Sequence, residues 1–199
     1  MKKQISILAA ILAVLAAAIL LVPDSRDHFV EFESKPLFSF SQDGIAAFQI
    51  NNFLQSYYFK KDGDKWGFKR VQNDLAKSVL AKDPTAPVPS GEEEFAEADP
   101  VKVVRLLTHL TTLTVGQPVA SEKGSATDFQ INDNSLHVIL FDNDDKELGR
   151  LFVGKQAADF LSSFVRRNRE NDIYLVSENL GGLLLSPYEE WLIQKTLGQ

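Results

Sequence analysis

The sequence predicts an α+β fold: antiparallel sheets built from β-hairpins, a central amphipathic helix and a C-terminal helix, preceded by one N-terminal transmembrane helix. Three observations predict it. An uncharged apolar run from Ile5 to Val22 follows Lys2 and Lys3. Pairs of short apolar or aromatic segments flank turn-forming residues at three places farther along. Val103, Leu106, Leu107, Leu110 and Leu113 recur at spacings of three and four, which puts them on one stripe of a helix. Strands do not alternate with long helices, so a doubly wound parallel sheet is not expected.

The apolar run holds a single polar residue, Ser6. At 1.5 Å per residue it makes about 27 Å of helix, close to the ~30 Å hydrocarbon core of a bilayer. Its positive flank should stay in the cytoplasm and send the rest of the chain across. The expected organisation is a cytoplasmic tip and anchor over residues 1–23, a stalk over 24–36 and an extracytoplasmic domain over 37–199. That describes a single-pass protein of the bacterial inner (cytoplasmic) membrane. A cleaved signal peptide competes, with Ala16 and Ala18 as the small residues of the cleavage site. Cleavage there would leave Ile19, Leu20, Leu21 and Val22 at a new amino terminus. The run also exceeds the ~7–15 residues usual for a signal sequence, which favours the anchor.

In the domain, Phe38–Phe40 is the first expected strand, closed by Ser41-Gln42-Asp43-Gly44, and Ile45–Ile50 is the second. Ser56–Lys60 and Lys65–Lys69 then flank Lys61-Asp62-Gly63-Asp64, where Asp-Gly supplies the positive φ of a tight hairpin. Trp66 and Phe68 share a strand face and should pack on the core. Asn73 is positioned to cap a short helix reaching Lys82. Residues 82–91 carry three prolines and lead into Glu92, Glu93, Glu94 and Glu97, which together read as a solvated connector. Asp99-Pro100 opens the central helix with a carboxylate cap and a proline at the first helical position, and Gly116 and Pro118 close it off.

Two more hairpins follow. Leu136–Phe141 and Glu147–Val153 reverse at Asp142–Lys146, and Phe164–Arg166 and Ile173–Val176 reverse at Asn168–Asn171. Ser177 should cap a short helical turn. Ser186-Pro187-Tyr188-Glu189 has the spacing of a capping box, opening a last helix to about Leu197. The strand–reversal–strand theme recurs, yet the halves do not align as a sequence repeat.

The 199 residues contain no cysteine, so disulfides, thiolate metal sites and a cysteine nucleophile are excluded. A net charge of −6, with Lys2 and Lys3 outside the domain, argues against a nucleic-acid partner. The three histidines, His28, His109 and His137, lack metal-ligand spacing. His109 lies off the helix stripe and should be exposed, while His137 opens a strand and suits a structural role. Asp142-Asn143-Asp144-Asp145-Lys146-Glu147 has Lys and Glu where a calcium loop wants a ligand and glycine, so a polar hairpin turn explains it better. No phosphate loop, dinucleotide fingerprint or nucleophile elbow occurs. No catalytic, cofactor-binding or metal-binding residue is therefore assigned. Arg166, Arg167 and Arg169 form the one basic cluster. They are the candidate partner-binding residues, although alternating solvated arginines at a hairpin end would look the same.

The order of elements resembles the family named domain of unknown function 4340 (DUF4340). The likeness lies in the strand Ile45–Ile50, the hairpin Phe59–Phe68 with its Asp62-Gly63, and the helix Asp99–Leu113. It continues in Leu148–Gly154, a strand ending in glycine, and in Phe164–Arg166 with Ile173–Val176. Asp128-Phe129-Gln130-Ile131 stands where the family pattern leads one to expect a Gly-Leu pair. The resemblance implies a membrane-anchored accessory to ABC-type transport systems, with permease and ATPase subunits as partners and no catalytic residues. The expected function is thus a non-enzymatic accessory or scaffold of a membrane complex. The alternative is an extracytoplasmic module that binds a small ligand or envelope polymer, with Tyr57, Tyr58, Trp66 and Phe68 lining a groove. An enzyme comes third.

Overall fold

The computed structural model describes residues 34–53, 55–86, 94–122 and 124–193. All of them belong to one compact unit, Ser34–Gln199. The apolar run Ile5–Val22, the stalk to Glu33 and the middle of the proline-rich connector lie outside the described residues. Among the described residues no helix is long and apolar enough to cross a membrane.

Two antiparallel sheets are present among them, with few helices. The small one pairs β1 (Lys35–Pro36) with β6 (Thr114–Val115). The large one contains β2 (Ala47–Asn51), β3 (Ser56–Asp62), β4 (Lys65–Val71), β5 (Ala96–Glu97), β7 (His137–Phe141), β8 (Glu147–Gln156), β9 (Ser163–Arg167) and β10 (Ile173–Val176). Its strand order is β10-β9-β8-β7-β2-β3-β4-β5, antiparallel throughout. Two four-stranded meanders therefore meet at a seam between β2 and β7, and the order reads the same outward from the seam in both directions. The recurrence the sequence hinted at is real at the level of topology. Strand lengths of seven and ten residues at equivalent places (β3 and β8) hide it from alignment.

The three expected hairpins form. Asp62 pairs with Lys65 across the two-residue loop Gly63-Asp64, and Gly63 takes φ +58°, the conformation a side chain would resist. The helix Asp74–Lys82 (α1) begins where expected, with the Asn73 side chain accepting from Ala76 N–H. The helix Pro100–Thr112 (α2) is capped by Asp99, and Val103, Leu106, Leu107 and Leu110 are buried on the inner face of the sheet. There they meet Phe48, Phe59, Phe68, Leu140, Leu151 and Val165, the inward set of the strands. Trp66 and Phe68 are buried in this core, as their shared face predicts.

Four expectations need correction. Phe38–Phe40 is not a strand. Leu37 and Phe38 are buried as neighbours, and Phe38 stacks on Phe40 at 4.9 Å, so the chain bends instead of alternating. The cap of Leu180–Leu184 (α3) is Asn179, which accepts from Gly182 N–H at 3.0 Å, because the helical turn starts later than Ser177 can reach. The last helix, Tyr188–Trp191 (α4), has Pro187 at its cap position and stops at Trp191. Leu192 is drawn into an antiparallel bridge with Ala98, and Asp99 N–H donates to the Trp191 carbonyl, which ends the helix. Residues 194–199 lie outside the described residues. His109 is half-buried, with Nδ1 3.4 Å from Glu178 Oε1.

Candidate functional site on the open face of the sheet

Strand alternation dictates what each face of the sheet carries. Opposite the inward set, β8 to β10 are covered by a second small core in which Ile131, Phe152 and Ile173 are packed by Ala120, Ala126, Phe129 and Phe164. The cover is held close by Gly154, since a Cβ there would collide with the Phe129 carbonyl oxygen. Gln130 takes φ +59° as the covering segment turns, so the place where the family pattern leads one to expect glycine is one where backbone freedom is used.

Over β2, β3, β4 and β7 that cover is absent among the described residues, and the sheet instead forms the floor of a groove of about 560 Å³. Gln49, Asn51, Tyr58, His137, Ile139 and Arg150 contribute from strands. Asp74, Leu75 and Lys77 of α1 stand on one side and Asp133 and Asn134 on the other. A more open depression of about 700 Å³ shares Asn52, Phe53 and Asn134 with it.

Asn51 is the most constrained polar residue of the floor. It is 4% exposed, and its Oδ1 accepts from Gln49 Nε2 and Ser56 Oγ, both at 2.7 Å. Its Nδ2 is buried without a partner among the described residues. A buried unpaired amide donor costs about 1–3 kcal/mol, so it marks a place where a ligand or water would be stabilised.

Tyr58 presents its ring edge-on to Phe95 and Phe141. Burial first, and then the charge of Asp145, raise its hydroxyl pKa above the ordinary value, so it remains a donor at neutral pH. The His137 ring packs at a tilt against Phe152 with centroids 5.0 Å apart, and its Nδ1 lies 2.7 Å from the Ser135 carbonyl. A carbonyl only accepts, so Nδ1 carries the proton and Nε2 is an acceptor. Burial dominates among its influences and holds its pKa below the usual value.

A pH dependence follows from His137. The unfolded chain protonates near pH 6.5, whereas the folded chain resists protonation until lower pH. The unfolded state binds the proton first, so stability is complete above about pH 6.5 and falls as pH drops through that value. Urea midpoints measured from pH 7.5 down to 5 should decline, and His137→Gln should flatten the decline. An unchanged slope in that variant would assign it to another group.

Asn73 joins the wall of the groove to its end. While Oδ1 caps α1, Nδ2 donates to the Asn52 carbonyl at 2.7 Å. Asn73→Ala is expected to cost about 1 kcal/mol, the usual worth of a cap, and to raise amide exchange in residues 74–77. A loss within a few tenths of zero would mean that solvent replaces both bonds.

The candidate arginines are not brought together as one patch. Arg166 lies with its guanidinium 4.6 Å over the Phe152 ring and Nη2 3.9 Å from Asp133. Arg167, its strand neighbour, binds Glu170 at 3.0 Å and donates to the Leu37 carbonyl at 2.8 Å. Arg169 alone of the three lines the groove. Of the four aromatics expected to line one, Tyr57, Trp66 and Phe68 are buried in the core and Tyr58 lines it. The Asp142 run is a hairpin turn, with Asp142 Oδ1 accepting from Asp144 and Lys146 N–H. Among the described residues no three His, Cys, Asp or Glu side chains are grouped to hold a metal ion.

Sequence reasoning passed over Gln49, Asn51 and His137 as groove residues. In an alternating strand, polar residues opposite Phe48 and Ile50 look like an ordinary solvated face. Only the burial of Asn51 separates them from one.

No curated protein and no solved structure matches the chain. A family model described as "Domain of unknown function (DUF4340)" matches residues 88–198. The match takes in the central helix, the second meander and the covering segment, while Gln49–Lys77 of the groove precede it. With more than half of the 199 residues matched, the chain belongs to the DUF4340 family.

Proposed function

We propose that the chain is a single-pass membrane protein whose extracytoplasmic domain is a non-enzymatic accessory of a membrane complex, of the ABC-type transport kind. The observation that carries this reading is the charge-free run Ile5–Val22 behind Lys2 and Lys3, which has the length and flank of an anchor. The link to permease and ATPase subunits rests on the family resemblance. The test is a crosslinked, mild-detergent pulldown of the full-length chain from native membranes, with mass spectrometry of bait and companions. Co-purifying permease and ATPase subunits, with Ile5–Val22 retained in the bait, are the expected result. A bait that begins near Ile19 and comes down alone would overturn it.

A second reading has its own observation. The groove is concave, falls within the ~300–1,000 Å³ of small-ligand sites and contains the unpaired Asn51 amide. It supports a module that binds a small ligand or envelope polymer. The burial of Tyr57, Trp66 and Phe68 removes the aromatic platform first expected for it, so recognition would fall to polar groups.

A further inference from the structure

We infer that the groove over β2, β3, β4 and β7 is a saccharide site, selective for a sugar bearing one carboxylate that meets Arg169. The inference rests on the second reading above and names its ligand class.

The donor and acceptor inventory carries it. Six of the residues lining the groove are side-chain amides: Gln49, Asn51, Asn52, Gln72, Asn73 and Asn134. An amide offers a donor and an acceptor from one plane, and a sugar hydroxyl likewise both donates and accepts. Asn73 spends both of its groups on α1 and the Asn52 carbonyl, and Asn51 Oδ1 is taken by Gln49 and Ser56, so the amides of Gln72 and Asn134 and the buried Nδ2 of Asn51 are the ones set to meet hydroxyls. The fixed protonation states fit the same ligand, with Tyr58 retained as a donor and His137 Nε2 as an acceptor. Asn51 Nδ2 supplies a preset donor whose burial penalty the ligand would relieve.

The charges narrow the class. Lys77 lies 3.8 Å from Asp74, and Arg150 holds Glu147 at 2.8 Å. Asp133 faces Arg166 at 3.9 Å. Arg169 pairs with no acid among the described residues. A phosphate or polyanion would call for several cations free of acids, and among the described residues lining the groove Arg169 is the one with no acid within 4 Å. One carboxylate on an otherwise neutral, hydroxyl-rich molecule satisfies the inventory. The neighbouring depression beyond Asn52 and Phe53 gives room for the sugar chain to continue.

The experiment is an NMR titration of the ¹⁵N-labelled full-length chain in detergent, read at the side-chain amides of Asn51 and Gln49. The probes at millimolar concentration are the disaccharide of N-acetylglucosamine and N-acetylmuramic acid, digalacturonate, and diacetylchitobiose, which matches the first probe without its carboxylate. The expected result is that an acidic sugar moves both amides and binds about fivefold tighter than chitobiose, the worth of one partly exposed ion pair. Arg169→Ala, an exposed position, should abolish that preference, so that acidic sugars and chitobiose bind the variant with equal affinity. Silence at both amides with all three sugars would overturn the inference, and so would an acid preference that survives Arg169→Ala. An extended trialanine peptide that moves the same amides when no sugar does would overturn the sugar class but leave the groove as a binding site.

Discussion

Phe59→Ala is expected to destabilise the domain by about 3–5 kcal/mol, the range for removing a fully buried aromatic ring. Phe59 is the centre of the inner face. Its ring stacks on Phe48 at 4.3 Å and on Phe68 at 5.2 Å, and meets Trp191 edge-on at 5.0 Å. It thus ties β2, β3, β4 and α4 into one cluster, and its removal leaves a void bounded by rigid rings that cannot collapse into it. Urea unfolding followed by tryptophan fluorescence measures the loss. Phe59→Leu should recover much of it, because volume rather than ring stacking supplies most of the energy. A loss for alanine below about 1.5 kcal/mol would mean that α4 shifts inward to fill the space.

Gly154→Ala should cost toward the upper end of the ~1–3 kcal/mol typical of overpacking, and its effect should be local. The added methyl would meet the Phe129 carbonyl and stand 2.7 Å from Ile131 Cγ1. The obstacle is backbone, so no rotamer change relieves it. The covering segment must lift, which exposes Phe152 and Ile173. Hydrogen exchange should rise first at Gln130 and Ile131, whose amides bond within that segment. Gly44 serves as the control. A Cβ there meets nothing within 4 Å, so Gly44→Ala should stay within about 0.5 kcal/mol. Equal losses at the two glycines would show that the cover yields freely.

What could be read from the chain alone was local. The helix Pro100–Thr112 announced itself through cap, proline and stripe together, and each hairpin through its turn residues. What could not be read was long-range or depended on burial. Nothing in Ala47–Asn51 says that its second neighbour is His137–Phe141, because that pairing has no turn to mark it. Ser186 and Glu189 have capping-box spacing, yet the tertiary bridge between Leu192 and Ala98 decides where the helix stops. The groove was hidden for the same reason. Asn51 and His137 lie opposite each other across the seam, and only the fold places them side by side. Arg166 and Arg167 were legible as charges, but strand alternation sends one to Phe152 and the other to Glu170 and Leu37.

The seam also bears on the order of assembly. Within each meander, strands join through neighbours in sequence, so each can zip up soon after its residues are released from the ribosome or from denaturant. Joining β2 to β7 is different in kind, since Ala47–Asn51 must find His137–Phe141 across more than a third of the chain. That closure carries the entropy of a long loop and offers no reward until the register is correct. The floor of the groove would then be the last surface to exist, created when the two meanders close over the one core they share. Until then each half presents a bare strand, Ala47–Asn51 or His137–Phe141, able to pair with another chain instead of its own.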